Sequence, residues 1–455
     1  MQGRSALRAE IPGLFGLALP IVVGLAASTL LGVTDSIMLA PLGPVPLAAV
    51  GLTMSVAGIF YAAIYGVLTA LSVRIGAAFG ARDQRRIPLI LRNGLALGLL
   101  VGGLGAAVMG AVWFVLPLLG QPERVLAAMP AYYALICLLL IPFSVLTVFK
   151  SAFEAVGRPW LGTSLAFVAV FINIPLNYAL IWGTGPFPQL GLTGAGVASF
   201  VAEAVALAVA WIWWMRAPGM RRLRLRRPLQ RAEMVAAFRE GAPLGALYVA
   251  ETGAIAMGTV MIGTFGTLAL AGNQVAMAVG GLLYMVPLGM AGAVSIRVAQ
   301  AKGAGAAGKL RTIVWAALVI VLIWLSGSAA LFGFFGPQVA GLVTDDPEVI
   351  GVAVSIFLVF AVSQIADGVQ STMLGALRGL SDTAWPAQVS IVSCWLVALP
   401  LGWIFATIFE MGPAGVWAGF VTGLFGASIA LTWRFVHQTH PARPRTGLGG
   451  KASTR

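Results

Sequence analysis

Apolar runs rich in Leu, Ala, Val and Gly follow one another along the whole chain, each parted from the next by a short polar connection. A hydrocarbon core of about 30 Å is crossed by roughly 20 helical residues. Twelve runs reach that length: 11–38, 47–72, 87–118, 126–149, 160–183, 191–215, 236–262, 268–296, 309–335, 347–374, 384–409 and 412–434. Lipid offers no partner to a free N–H or C=O, so only helices and closed barrels span a bilayer. Barrel strands alternate apolar and polar over about ten residues, whereas these runs are continuously apolar. The pattern predicts an all-helical membrane bundle. The polar start, Met1 to Glu10, leads into its apolar segment without a small-residue cleavage signal, which reads as a retained first span.

Composition agrees: 59% hydrophobic residues, 9% charged residues and a mean hydropathy of +0.95 cannot build a water-exposed surface. The net charge of +13 would suggest nucleic acid in a soluble protein, so placement decides its meaning. An even number of spans puts both termini on one side. Taking that side as cytoplasm sets every Lys and Arg except Arg124 on or beside a cytoplasmic loop, while the outer connections hold Glu123, Asp345, Asp346, Glu348 and Glu410. That is the positive-inside rule; it predicts cytoplasmic termini and no nucleic-acid partner. The basic run Arg221-Arg222-Leu223-Arg224-Leu225-Arg226-Arg227 fits the same rule, an anionic-lipid site being the other reading. Cys137 and Cys394 lie in separate apolar runs, excluding a disulfide framework and a CxxC metal site.

The halves repeat. Pro20 and Pro243, Leu47-Ala48-Ala49-Val50-Gly51 and Leu268-Ala269-Leu270-Ala271-Gly272, Ser72-Val73-Arg74-Ile75 and Ser295-Ile296-Arg297-Val298, and Ala195-Gly196-Val197 and Ala414-Gly415-Val416 recur at nearly constant separation. The expected organisation is a six-helix lobe over 1–215, a basic cytoplasmic linker over 216–235, a second six-helix lobe over 236–434 and a cytoplasmic tail over 435–455. With six spans each, the lobes share one orientation and relate by an axis along the membrane normal, an arrangement of transporters that rock about a central site.

Apart from Glu240 and Glu348 near the starts of their spans, four carboxylates fall inside spans: Asp35, Glu203, Glu251 and Asp367. Each costs about 2.5–3.5 kcal/mol to insert charged at a helix centre, so each is a functional candidate. Ser363, Gln364, Gln370 and Ser371 share a helix face with Asp367, and Tyr248 stands one turn before Glu251. In the first half Asp35 follows Thr34, and Asn173 and Asn177 are spaced i, i+4. A carboxylate with amide and hydroxyl oxygens suits a hard monovalent cation, or a proton on the carboxylate; interhelical hydrogen-bond glue is the other reading. Glu203 has no comparable polar neighbourhood. The chain carries no GxxxxGK[ST] segment, so an ion gradient is the expected energy source.

Thr34-Asp35-Ser36-Ile37-Met38, Phe153-Glu154-Ala155-Val156-Gly157-Arg158-Pro159, Glu251 and Leu377-Arg378-Gly379-Leu380-Ser381-Asp382-Thr383 together resemble the multidrug and toxic compound extrusion (MATE) family, across all twelve spans, and its NorM-like bacterial branch in particular. The resemblance implies a V-shaped pair of parallel-repeat lobes in the bacterial inner membrane, exporting small cationic or amphipathic organic compounds in exchange for Na⁺ or H⁺. It implies no other cofactor, no enzymatic activity, membrane lipid as surroundings and a monomer. It places a first-lobe ion or proton site on Asp35, Asn173 and Asn177, with Thr193 as a further ligand. A second-lobe site falls on Glu251 and Asp367, with the ring of Tyr284 facing the cation. Several relatives have an acid where Asn177 stands, which bears on the charge of the first-lobe site.

Met257, Met261, Met277, Met285 and Met290 could form a pliable drug-facing wall or simply fill gaps. Trp113, Trp182 and Trp417 near span ends are expected at the membrane interface. The nearest rival function is a lipid-linked-oligosaccharide flippase, which would carry basic residues in its cavity for a pyrophosphate. A membrane enzyme would want histidines or paired acids at a membrane face, yet His437 and His440 lie at the end of the chain.

Overall fold

The computed structural model describes residues 2–216 and 228–440, and every regular element among them is helical. Twelve helices are long and apolar enough to cross a membrane. The first six crossings are α1 (Gln2–Leu39), α2 (Pro44–Gly80), α3 (Arg86–Val112), α5 (Pro130–Ala155), α6 (Pro159–Trp182) and α7 (Leu192–Arg216), with a short α4 (Glu123–Ala128) before α5. The second six are α8 (Arg231–Gly263), α9 (Thr267–Gly303), α10 (Lys309–Gly341), α11 (Pro347–Gly379), the composite of α12 (Ala384–Val392) and α13 (Leu399–Thr407), and α14 (Gly412–Gln438). The basic run 221–227 and the segment beyond 440 lie outside the described residues.

Several helices overrun the expected spans, α1 starting at Gln2 and α2 and α9 running on to Gly80 and Gly303, and proline accounts for other departures. The fourth crossing opens at Pro130 rather than 126, because proline's missing N–H costs nothing in a helix's first turn. The third ends at Val112, and the chain then turns through a 3₁₀ segment, Leu116–Leu119, holding Pro117. In the ninth, Phe335 (φ −118°, ψ 16°) breaks the helix two residues before Pro337. The eleventh widens into a π-helical turn over Ser393–Ala398 just ahead of Pro400, which absorbs the lost hydrogen bond.

The internal repeat extends to backbone detail. Helices α2 and α9 start after Gly43 and Gly266, with φ of 103° and 104°, values open to glycine and strained for other residues. Both end in matching turns: Ala81 donates to Ala77 O and Ala304 to Gln300 O, each at 2.9 Å. Packing follows the same symmetry, with α1 against α9 and α8 against α2. Each lobe therefore lends its first helix to the other. Leu14, Leu17 and Ala18 of α1 are buried in a core with Met290, Val294 and Leu377 of the second half.

Among the described residues, the close backbone approaches and ion pairs between the lobes fall toward the end of the bundle that bears the termini. A Cβ on Gly66 would stand 2.6 Å from Gly245 Cα, so α2 and α8 touch backbone to backbone. Toward the opposite end the glycines of α2 and α9, Gly51, Gly58 and Gly281, face nothing within 4 Å. Two ion pairs related by the repeat reinforce the closed end. Arg74 binds Glu233, and also Glu240 at 2.7 Å, while Arg297 binds Glu10. Exposed apolar side chains such as Phe171, Ile323, Phe334 and Ile429 coat the outside, as lipid-facing surfaces require. The lobes thus meet at the terminus-bearing end and part toward the other.

Candidate functional site

Asp35 lies one turn from the end of α1, where α6 and α7 pack against it. Asn177 donates from Nδ2 to Asp35 Oδ1 and to Asn173 Oδ1 at 2.9 Å; Asn173 Nδ2 donates to Ser199 Oγ at 3.1 Å; Ser199 Oγ donates to Asp35 Oδ2 at 3.0 Å. The four side chains close a ring, all of them buried. Hydrogen bonds to a charged group contribute about 1.5–3 kcal/mol each. Two such donors offset the roughly 2.5–3.5 kcal/mol cost of a carboxylate in the apolar interior. Asn177 Oδ1 remains buried without a partner, an oxygen free to join the carboxylate in holding a small cation.

The structure thus joins Asp35, Asn173 and Asn177 directly. Thr193 makes no hydrogen bond to them; Ser199, nearly two helical turns further along α7, makes two. The sequence does hold a signal for Ser199. It stands four residues before Glu203, on the same face of α7 as that intramembrane acid. Glu203 itself is half-buried and makes no hydrogen bond to the ring.

In the second lobe, Glu251 of α8, Tyr284 of α9 and Asp367 of α11 line one cavity of about 250 Å³. Ser363, Gln364 and Gln370 of the polar stripe line it as well, whereas Ser371 turns to the carbonyl of Gly368 at 3.3 Å. Gln370 Nε2 donates to Ser390 Oγ at 3.3 Å. The apolar wall is mainly aromatic, with Phe360, Trp417 and Phe420. Of the five methionines considered only Met277 reaches it; Met290 is in the lobe core and Met257 faces outward. Trp417 is no interface anchor: it is buried, and its indole N–H donates to Asn273 Oδ1 at 2.9 Å. The π-helical turn brings Cys394 into the lining while the neighbouring Trp395 donates to Ala250 O at 3.0 Å, beside Glu251. Among the described residues, no Lys or Arg lines this cavity. An acidic, aromatic, partly apolar lining has the chemistry to hold an organic cation by charge and by ring faces.

Below the cavity, toward the closed end, Arg378 is buried and donates to Ser295 Oγ at 3.0 Å, Ala291 O at 3.3 Å and Tyr248 Oη at 3.4 Å. It ties α8, α9 and α11 together at the floor of the chamber.

Comparison with known proteins gives the same picture. The MatE family profile matches residues 20–179 and 243–404, once in each half and starting at the paired prolines. The chain is 32% identical over 394 residues to "Probable multidrug resistance protein NorM" of Deinococcus radiodurans, covering 84% of this chain and 85% of that protein. It is 29% identical over 394 residues to the protein of the same name from Acinetobacter baylyi, covering 86% and 87%. A solved structure described as the outward-facing conformation of a multidrug resistance MATE family transporter superposes with a TM-score of 0.86 at 21% identity, covering 96% of this chain and 98% of that one. The paired six-helix halves, the twofold profile match and the extent of the likeness establish that this chain belongs to the MatE family of membrane transporters.

Proposed function

We propose that the chain is a multidrug antiporter of the bacterial inner membrane, with cytoplasmic termini, exporting small cationic or amphipathic organic compounds in exchange for Na⁺ or H⁺. The observation that carries this reading is the second-lobe cavity: two carboxylates, three aromatic rings besides Tyr284 and, among the described residues, no basic side chain. A flippase for a pyrophosphate-linked lipid needs the opposite charge there. In this reading the closed, terminus-bearing end faces the cytoplasm and the structure is open outward.

Binding of the coupling ion or proton at Glu251 and Asp367 competes with the cationic cargo for the same negative charge. A parallel exchange occurs at Asp35, where Asn177 Oδ1 is a further ligand. Such exchange drives transport only if the ion prefers one state of the cleft, since a ligand that bound both equally would shift nothing. Separation of α2 from α8 at the closed end, with closure at the other, supplies the second state.

The test is efflux of a fluorescent organic cation from proteoliposomes, with inward Na⁺ and inward proton gradients imposed separately. Efflux under either gradient supports antiport and identifies the ion. No efflux under either, with a lipid-linked sugar crossing the bilayer instead, overturns it.

A further inference from the structure

The largest cavity among those described, about 580 Å³, lies not in the transport chamber but at the terminus-bearing end, where the lobes meet. Arg82 from the α2–α3 turn, Arg297 of α9 and Lys309 at the start of α10 line it, with Glu10 of α1 as its one acid. Glu10 binds Arg297 and reaches Lys309 at 3.9 Å. Arg297 Nε is buried without a partner, and the Arg82 guanidinium makes no hydrogen bond or ion pair among the described residues. Three cations therefore share one carboxylate.

The internal repeat supplies a control for this imbalance. A second cavity, about 360 Å³, occupies the equivalent place beside α8 and is lined by Arg74, Arg86 and Lys302. There the charges are answered from within the chain: Glu233 and Glu240 bind Arg74, Lys302 donates to Leu380 O, and Asp83 lines the wall. The two turns that border these cavities have the same backbone hydrogen bonds. Asp83 donates its amide to Ala78 O and Ala306 to Ala301 O, each at 2.9 Å. The Asp83 carboxylate accepts from the amides of Arg85 and Arg86 at 3.1 Å, neutralising the positive end of α3. On the other side Ala306 stands in the place of Asp83, and no acid occurs in the first turn of α10. Lys309 stands in the place of Arg86, but without that carboxylate beside it. Arg82 enlarges the asymmetry, since its counterpart in the second turn is Gly305.

We propose that this cavity binds a phosphate monoester, whose dianion replaces the carboxylate missing at Ala306 and is held by Arg82, Arg297 and Lys309. Arg82 comes from one lobe and Arg297 and Lys309 from the other, so the bound group bridges the lobes and favours the state in which this end is closed. The shared chemistry admits two sources, a lipid headgroup or a free phosphate. Site and ligand are independent of the chamber around Glu251 and of the identity of the exported compound.

Thermal unfolding of the purified protein in detergent, followed by tryptophan fluorescence, tests this with three probes: inorganic phosphate, a short-chain phosphatidic acid and a short-chain phosphatidylcholine as the zwitterionic control. The wild type is expected to be stabilised by phosphatidic acid and not by phosphatidylcholine. Removing two charge-assisted contacts in the Arg82→Gln/Lys309→Gln variant raises the half-saturating concentration about tenfold or more. Ala306→Asp, which installs the carboxylate of the other turn, abolishes the response and raises the unfolding temperature without any probe. A response to phosphatidic acid alone assigns the site to a lipid headgroup, and a response to both anions assigns it to phosphate itself. No response to either anion, or equal responses in wild type and both variants, overturns the proposal.

Discussion

Placing a methyl group on Gly66 forces α2 away from α8 at the point where the lobes are closest. The added Cβ stands 2.6 Å from Gly245 Cα and 2.7 Å from Gly245 N and Leu244 O. All three are backbone atoms, so no rotamer change relieves the overlap. Carbon contacts are comfortable at about 3.5–4.0 Å, so the helices must separate by roughly 1 Å. Overpacking of this kind costs about 1–3 kcal/mol. If α2 and α8 part in the alternative state, the cost falls on the closed state alone and shifts the population roughly 5- to 150-fold away from it. The distance between spin labels at Arg158→Cys and Ala307→Cys, on a background lacking Cys137 and Cys394, reads that shift by electron–electron double resonance. Gly66→Ala should move the distribution toward longer separations. A folded variant with an unchanged distribution would refute the claim that this contact opens during the cycle.

Neutralising Asp35, as Asp35→Asn, removes the only charge from the ring with Asn173, Asn177 and Ser199 and should abolish gradient-driven efflux in proteoliposomes; a wild-type rate would remove Asp35 from the coupling mechanism. Glu251→Gln and Asp367→Asn should each abolish cation efflux while the unfolding temperature holds or rises, because each removes a half-buried charge without changing volume; efflux retained in both would end the role given to the second-lobe chamber. Ser199→Ala should weaken the ion dependence of transport about tenfold or more, through loss of one charge-assisted hydrogen bond. Thr193→Ala should leave it within about twofold, and the reverse order would contradict the geometry of the ring. The Arg74→Gln/Arg297→Gln variant removes the partner of Glu233 and Glu240, leaves Glu10 only its longer contact with Lys309, and should expose the closed end to thiol reagents at an engineered cysteine there; unchanged labelling would mean the ion pairs do not hold the gate.

Long apolar runs, an even span count and the repeat were legible in the sequence because lipid enforces them locally, every span having to satisfy its own backbone hydrogen bonds. The acids were legible for the same reason: Asp35, Glu251 and Asp367 stand out against an apolar background that polar side chains enter only at a cost. The i, i+4 spacing of Asn173 and Asn177 was enough to place both on the face that meets Asp35. Which hydroxyl completes that ring was not, since Thr193 and Ser199 lie on one helix and only its depth and rotation against α6 select Ser199. The same holds for Trp417, whose position near a span end suggested the membrane interface until the packing of α14 against α11 buried it on Phe360, with its N–H on Asn273. Likewise, the sequence shows Arg74 and Arg297 as matching positions, but not that each reaches across to an acid on the other lobe's first helix. Local chemistry thus determined the elements, their number and their candidate charges, because each element answers to the solvent around it. Partners between elements were decided by tertiary structure alone, because they depend on the crossing and depth of helices that lie far apart in the chain.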